Sequence, residues 1–188
     1  MNTAVYSHIQ LMNPKLEEKY LRLEKCRNML LDELEGLDDA LLNSPPAEGK
    51  WSINQTMAHL VLVERRMLDY VQYKLKQQEA FPEASFSQGL KSLLLKLALQ
   101  SGKKFKAPDV VATVPDNIAL ATLRQEWDEV RFRLEDLLTE LPVHLLNKCL
   151  FKHPVAGPLT MFQTLTFVQD HFNHHLRQIQ QQKQRLLV

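Results

Sequence analysis

Apolar positions recur with a helical period over four long stretches of this chain. The first begins at Pro14, a residue suited to an opening helical turn because its missing N–H would have no partner there. Its stripe is Leu16, Tyr20, Leu23, Leu30 and Leu34; Gly36 interrupts the pattern and "NSPPAEG" at 43–49 ends it. The second opens on "WSINQ", where Ser52 and Gln55 have capping-box spacing. Ile53, Met57, Leu60, Val63, Met67 and Val71 then form one stripe, and helix is expected to about residue 78. The third is expected from about Asp116 to Glu140, with Leu123, Trp127, Val130, Leu134 and Leu137 or Leu138 inward and Pro142 just beyond. The fourth, from about Thr160 to Arg185, turns Met161, Leu165, Val168, Phe172, Leu176 and Ile179 inward.

These stretches predict an all-α chain: a four-helix bundle in one domain spanning residues 1–188, with 1–13 as an N-terminal arm. The connection at 79–115 far exceeds the usual loop of about 4–6 residues. Within it, "GLKSLLLKLALQSGKKFK" is expected to hold a short helix at about 90–100. Its lysines would suit an acidic membrane surface, but covering one end of the bundle is the simpler role. So long a crossover frees the second and third helices from running antiparallel, so an up-down-down-up order stands beside simple up-and-down.

With 45% hydrophobic residues in 188, the chain can bury a core, and having only 5 glycines suits long helices. A net charge of +1 argues against a nucleic-acid partner gripped through its phosphates. No run approaches the roughly eighteen uncharged apolar residues of a membrane span, and the first residues lack a signal-peptide pattern. Cys26 and Cys149 form no CxxC pair, as expected of a reduced, cytoplasmic protein.

The candidate chemistry lies in "DHFNHHLRQI" (170–179), which holds three of the seven histidines. At about 100° per residue, His171 and His175 lie about 40° apart, so both imidazoles can reach one point. His175 falls at the edge of the apolar stripe with His171 just beyond it, whereas His174 projects among polar residues as a solvated side chain or a polar neighbour of the pair. Thr164, Gln178 and Gln182 continue that edge, where hydrogen bonds could fix ligand tautomers. Catalytic zinc usually takes three protein ligands and keeps one open position. His59, at the edge of the second helix's stripe, is the candidate third. Glu64 projects into that stripe, where a carboxylate must be paired, protonated or functional; it is the candidate catalytic base or orienting group. The bland alternative is that these histidines are ordinary interface residues. His8, His144 and His153 fall at a terminus and in loops, with His153 placed near a bundle mouth. Cys26 has no activating base nearby in sequence, no phosphate-binding glycine loop is present, and Asp128, Glu129, Glu135 and Asp136 read as a solvated face.

Two segments together resemble the DinB-like superfamily. "KWSINQTMAHLVLVE" (50–64) is similar to its second-helix signature, and "HPVAGPLTMFQTLTFVQDHFNHHLRQI" (153–179) to its last segment, HP–x–x–G followed by H-x-x-x-H-x-x-Q-I. The resemblance spans most of the chain and is weakest over 79–115. It implies an up-down-down-up four-helix bundle with a divalent-metal site made by His59, His171 and His175. Characterised members include low-molecular-weight thiol S-transferases and a mycothiol-dependent isomerase; others carry only the name of metal-dependent hydrolase. Homodimers are common among them.

The expected function is therefore that of a metal-dependent enzyme acting on a small-molecule substrate. Zn²⁺, Ni²⁺, Mn²⁺ or Fe²⁺ would activate water or a low-molecular-weight thiol. The expectation from another class is a metal-free or catalytically inactive helical interaction or dimerisation module, with the 90–100 segment as its contact surface.

Overall fold

A computed structural model describes residues 11–77, 80–84, 94–95, 97 and 113–186. Five helices carry most of the described structure: α1 (Pro14–Leu34), α2 (Asp39–Leu42), α3 (Ile53–Lys76), α4 (Leu120–Glu140) and α5 (Met161–Leu186). Two short strands, β1 (Cys149–His153) and β2 (Gly157–Thr160), form an antiparallel hairpin directly before α5.

Local chemistry sets the helix ends. Asn13 caps α1 by accepting from the Lys15 N–H, and Gly36, at φ +82°, turns the chain away after it. The capping box of α3 is reciprocal: the Gln55 N–H donates to Ser52 Oγ at 3.1 Å and the Ser52 N–H to Gln55 Oε1 at 2.9 Å. Thr160 and Gln163 repeat that exchange at the start of α5, at 3.0 and 3.3 Å.

The predicted stripes are the buried ones. Leu16, Leu34, Met57, Trp127, Leu134 and Phe172 are almost wholly enclosed, and the Trp127 and Phe172 rings lie 6.1 Å apart in the core. Polar pairs on the helix flanks give relative directions. Arg65–Glu126 and Arg133–Asp69 climb together, so α3 and α4 run parallel. Lys19–Thr166 and Lys183–Glu33 do the same for α1 and α5. Tyr20–Glu135, Arg27–Asp128 and Glu35–Arg124 run in opposite orders, so α1 and α4 are antiparallel.

Several expectations change. Helix α3 ends at Lys76, two residues early, and α4 starts at Leu120 rather than Asp116. The Ile118 peptide is held out of α4 by side chains: its N–H donates to Asn43 Oδ1 at 3.1 Å, and its carbonyl accepts from Asn43 and Asn54. Asp39 on α2 then accepts from the Leu120 N–H at 2.9 Å, so this short helix, not foreseen in the sequence, caps α4. The chain is not purely α, since a hairpin stands where a loop was expected. The Pro82–Ala84 backbone adds to its edge, with the Cys149 N–H donating to the Pro82 carbonyl at 2.9 Å. Asp128 is not merely solvated, because it pairs with buried Arg27 at 2.7 Å. Of the expected 90–100 helix, Leu94, Leu95 and Leu97 are helical, and Leu95 packs on the core; its remaining residues, like residues 1–10 of the expected arm, lie outside the described set. No described helix is long and apolar enough to cross a membrane.

Candidate metal centre

His59 sits in the second turn of α3, and His171 and His175 sit one turn apart on α5. The three potential ligand atoms lie within 4.8 Å of one another. The Nε2 atoms of His59 and His171 are 3.3 Å apart. Two nitrogens at about 2.0–2.1 Å from one tetrahedral ion would be about 3.3–3.4 Å apart, so this pair already matches zinc coordination. The ring centroids are 4.9 Å apart for His59 and His175, and 4.6 Å for His171 and His175. His59 and His175 are buried, while His171 is the ring that still reaches solvent.

Polar neighbours set the tautomer. Gln178 Oε1 lies 3.0 Å from His175 Nδ1, so that nitrogen donates and the Nε2 lone pair is left for an ion. The other end of the Gln178 amide meets His174 Nε2 at 3.1 Å. His174 is thus buried beside the cluster, not solvated. Thr164 is fully buried and donates to the Thr160 carbonyl at 2.8 Å. Two aromatic walls were missed as neighbours of the site. Trp51, immediately before the α3 cap, lies 5.0 Å from His59, and Phe167 lies 5.6 Å from His171. Helical projection from each stripe separately cannot show such contacts between elements.

A sequence profile of the DinB superfamily matches residues 22–179, a span that includes all three histidines. The chain belongs to the DinB superfamily. Three relatives give its surroundings. It is 28% identical over 155 residues to the uncharacterized protein YuaE of Bacillus subtilis, covering 82% of this chain and 91% of the relative. It is 23% identical over 182 residues to a protein of Bacillus mycoides named "putative metal-dependent hydrolase", covering 96% and 93%. It is 25% identical over 164 residues to a protein of Bacillus cereus with the same description, covering 87% and 83%.

In this DinB-superfamily chain, Glu64 is not one of the grouped ligand residues. Its carboxylate pairs with Arg131, with Nε at 2.8 Å and one terminal nitrogen at 2.9 Å, and accepts from the Trp127 indole at 3.2 Å. The inward projection read from the sequence places Glu64 in this buried pair. Burial pushes the Glu64 carboxyl up, against the pull of Arg131.

Burial also keeps His171 and His175 in the ligand-ready neutral form. It lowers His175 to about 3, with His59 and His174 adding to the effect, and it lowers His171 well below its ordinary value. His171 is only half-buried by exposed area, yet enough protein surrounds its ring for burial to remain the main cause. These shifts link stability to pH. Unfolded histidine titrates near about 6.5, so between that value and the lower folded values the unfolded chain binds more protons. Stability is complete above about 6.5 and is lost as pH falls, with Glu64 acting in the opposite sense. In chelator-treated protein, Tm should therefore fall between about pH 7 and 5. A His171→Gln/His175→Gln variant, which keeps every carboxylate, should show a flatter dependence; equal slopes would contradict this account.

Proposed function

We propose that this chain is a divalent-metal-dependent hydrolase of small molecules, with His59, His171 and His175 as the metal ligands. The observation that carries the reading is the meeting of three buried or half-buried imidazoles, two of them with nitrogens at zinc-like separation. An all-imidazole set favours Zn²⁺, Ni²⁺ or Fe²⁺ over Mn²⁺, which prefers oxygen ligands. Such an ion supplies Lewis acidity, lowering the pKa of a coordinated water or thiol toward neutrality. Gln178 orients His175, and His174 orients Gln178. Trp51 and Phe167 wall the site and exclude bulk water from its sides. Hydrolysis is preferred to low-molecular-weight thiol S-transfer because relatives covering most of the chain carry the hydrolase name. The same residues would serve a thiol in place of water.

The contacts that α1, α3, α4 and α5 make in pairs, and their directions, support an up-down-down-up four-helix bundle as the single-domain frame of this site. A cytoplasmic location fits the two free cysteines, and a homodimer is the assembly we expect.

Metal analysis of protein purified without a His tag tests the reading. About one ion per chain is expected, with none in a His59→Ala/His171→Ala/His175→Ala variant. Added Zn²⁺ should raise Tm reversibly to chelator in the wild type alone, because an ion that binds only the native state must stabilise it. Equal metal content in both proteins would sink the site and favour the metal-free interaction module.

A further inference from the structure

One histidine outside the triad is held with unusual definition. His153 ends β1 opposite Gly157, whose φ of +77° closes the hairpin turn. Its Nδ1 accepts from two backbone N–H groups, Val155 at 3.1 Å and Ala156 at 3.0 Å. That nitrogen's lone pair is therefore committed, and a neutral ring must carry its proton on Nε2. Burial lowers His153 to about 4, so the ring is neutral in the physiological range. The side chain is 8% exposed, and among the described residues nothing takes the Nε2–H. Its ring packs edge-on against Phe167 at 4.5 Å, and Phe167 in turn lies 5.6 Å from His171. His153 thus stands beside the half-exposed ligand, across one aromatic ring. Its Nε2 is not one of the buried polar atoms left without a partner, so this donor reaches solvent and is open to a ligand.

We propose that His153 donates, through Nε2–H, a hydrogen bond to a carbonyl or carboxylate oxygen of the substrate held beside the three-histidine centre. The inference rests on the metal-site reading above and adds a substrate class to it: esters, amides or carboxylates whose oxygen needs a neutral donor. The hairpin, rather than either long helix, then supplies the site's second polar group.

The test uses His153→Asn. Asparagine Oδ1 can take the place of Nδ1 and keep the Val155 and Ala156 bonds, but it has no distal donor. The probe is acetate added to the Co²⁺-loaded full chain and followed by visible absorption. The variant should keep wild-type Co²⁺ content and Tm but bind acetate roughly tenfold or more weakly, the loss expected for one hydrogen bond to a charged group. Equal acetate affinity in the two proteins, or no acetate response in the wild type, overturns the proposal while leaving the metal site standing. A wild type that takes up no Co²⁺ overturns the metal reading itself, and this proposal with it. If the variant misfolds, long-range ¹H–¹⁵N spectra of the wild type decide. An Nε2–H signal perturbed by acetate supports the donor role, and an Nδ1-protonated His153 refutes it.

Discussion

Replacing His59 with alanine is expected to weaken Zn²⁺ binding by about two to three orders of magnitude. Zinc sites of four ligands are worth roughly 10–16 kcal/mol, or about 2.5–4 kcal/mol per ligand, and each 1.4 kcal/mol is tenfold. The α5 pair alone would be left, a spacing that occurs in helices without any metal. Alanine at His59 leaves the α3 cap untouched, because Ser52 and Gln55 form it. The loss should therefore appear as affinity rather than unfolding. Gln178→Leu should weaken binding by about 10–100-fold, since it frees His175 to rotate or to protonate the wrong nitrogen. His174→Ala should keep full stoichiometry, because that ring borders His175 and Gln178 but supplies none of the three grouped ligand atoms. Competition against a chromophoric chelator measures all three. Equal losses for His59→Ala and His174→Ala would refute the division of roles among the histidines.

That division was partly legible in the sequence, for a physical reason. Helical periodicity fixes which residues share a face, so His171 and His175 separate from His174 without coordinates. It says nothing about which faces meet. His59 could be joined to the pair only as a stripe-edge residue, or through the family resemblance. The distance to His171 needed the relative height of α3 and α5, which neither helix's own pattern carries. The hairpin was missed because β1 is short and its burial does not alternate cleanly. The late start of α4 was missed because the side chains that hold Ile118 come from Asn43 and Asn54, far away in sequence. Glu64 was correctly placed facing inward, but one helix's pattern could not reveal Arg131, on α4, as its partner.

That partnership makes Glu64 the position where substitution should cost most in stability. Glu64 and Arg131 are both 2% exposed, so Glu64→Ala leaves a guanidinium in the core with Glu24, at 3.5 Å, and the face of Trp127 as its remaining partners. Breaking such a pair typically costs about 3–5 kcal/mol, because the remaining charge has lost water and partner together. For a chain of this size that is a fall in Tm of roughly 6–20 °C. Removing both charges should behave differently. In Glu64→Leu/Arg131→Met no buried charge is stranded, Glu24 keeps Arg27 at 2.9 Å, and only the Trp127 indole loses its acceptor. The double variant should recover most of the lost Tm; if it is no more stable than Glu64→Ala, stranded charge is not the cause. Glu64→Gln separates stability from chemistry. It keeps an acceptor for Trp127 and most of the shape, so an ion-pair role predicts a Tm below wild type with unchanged metal content. A Glu64→Gln protein with wild-type Tm and metal content but no turnover would instead return the carboxylate to the reaction, as its inward projection first suggested.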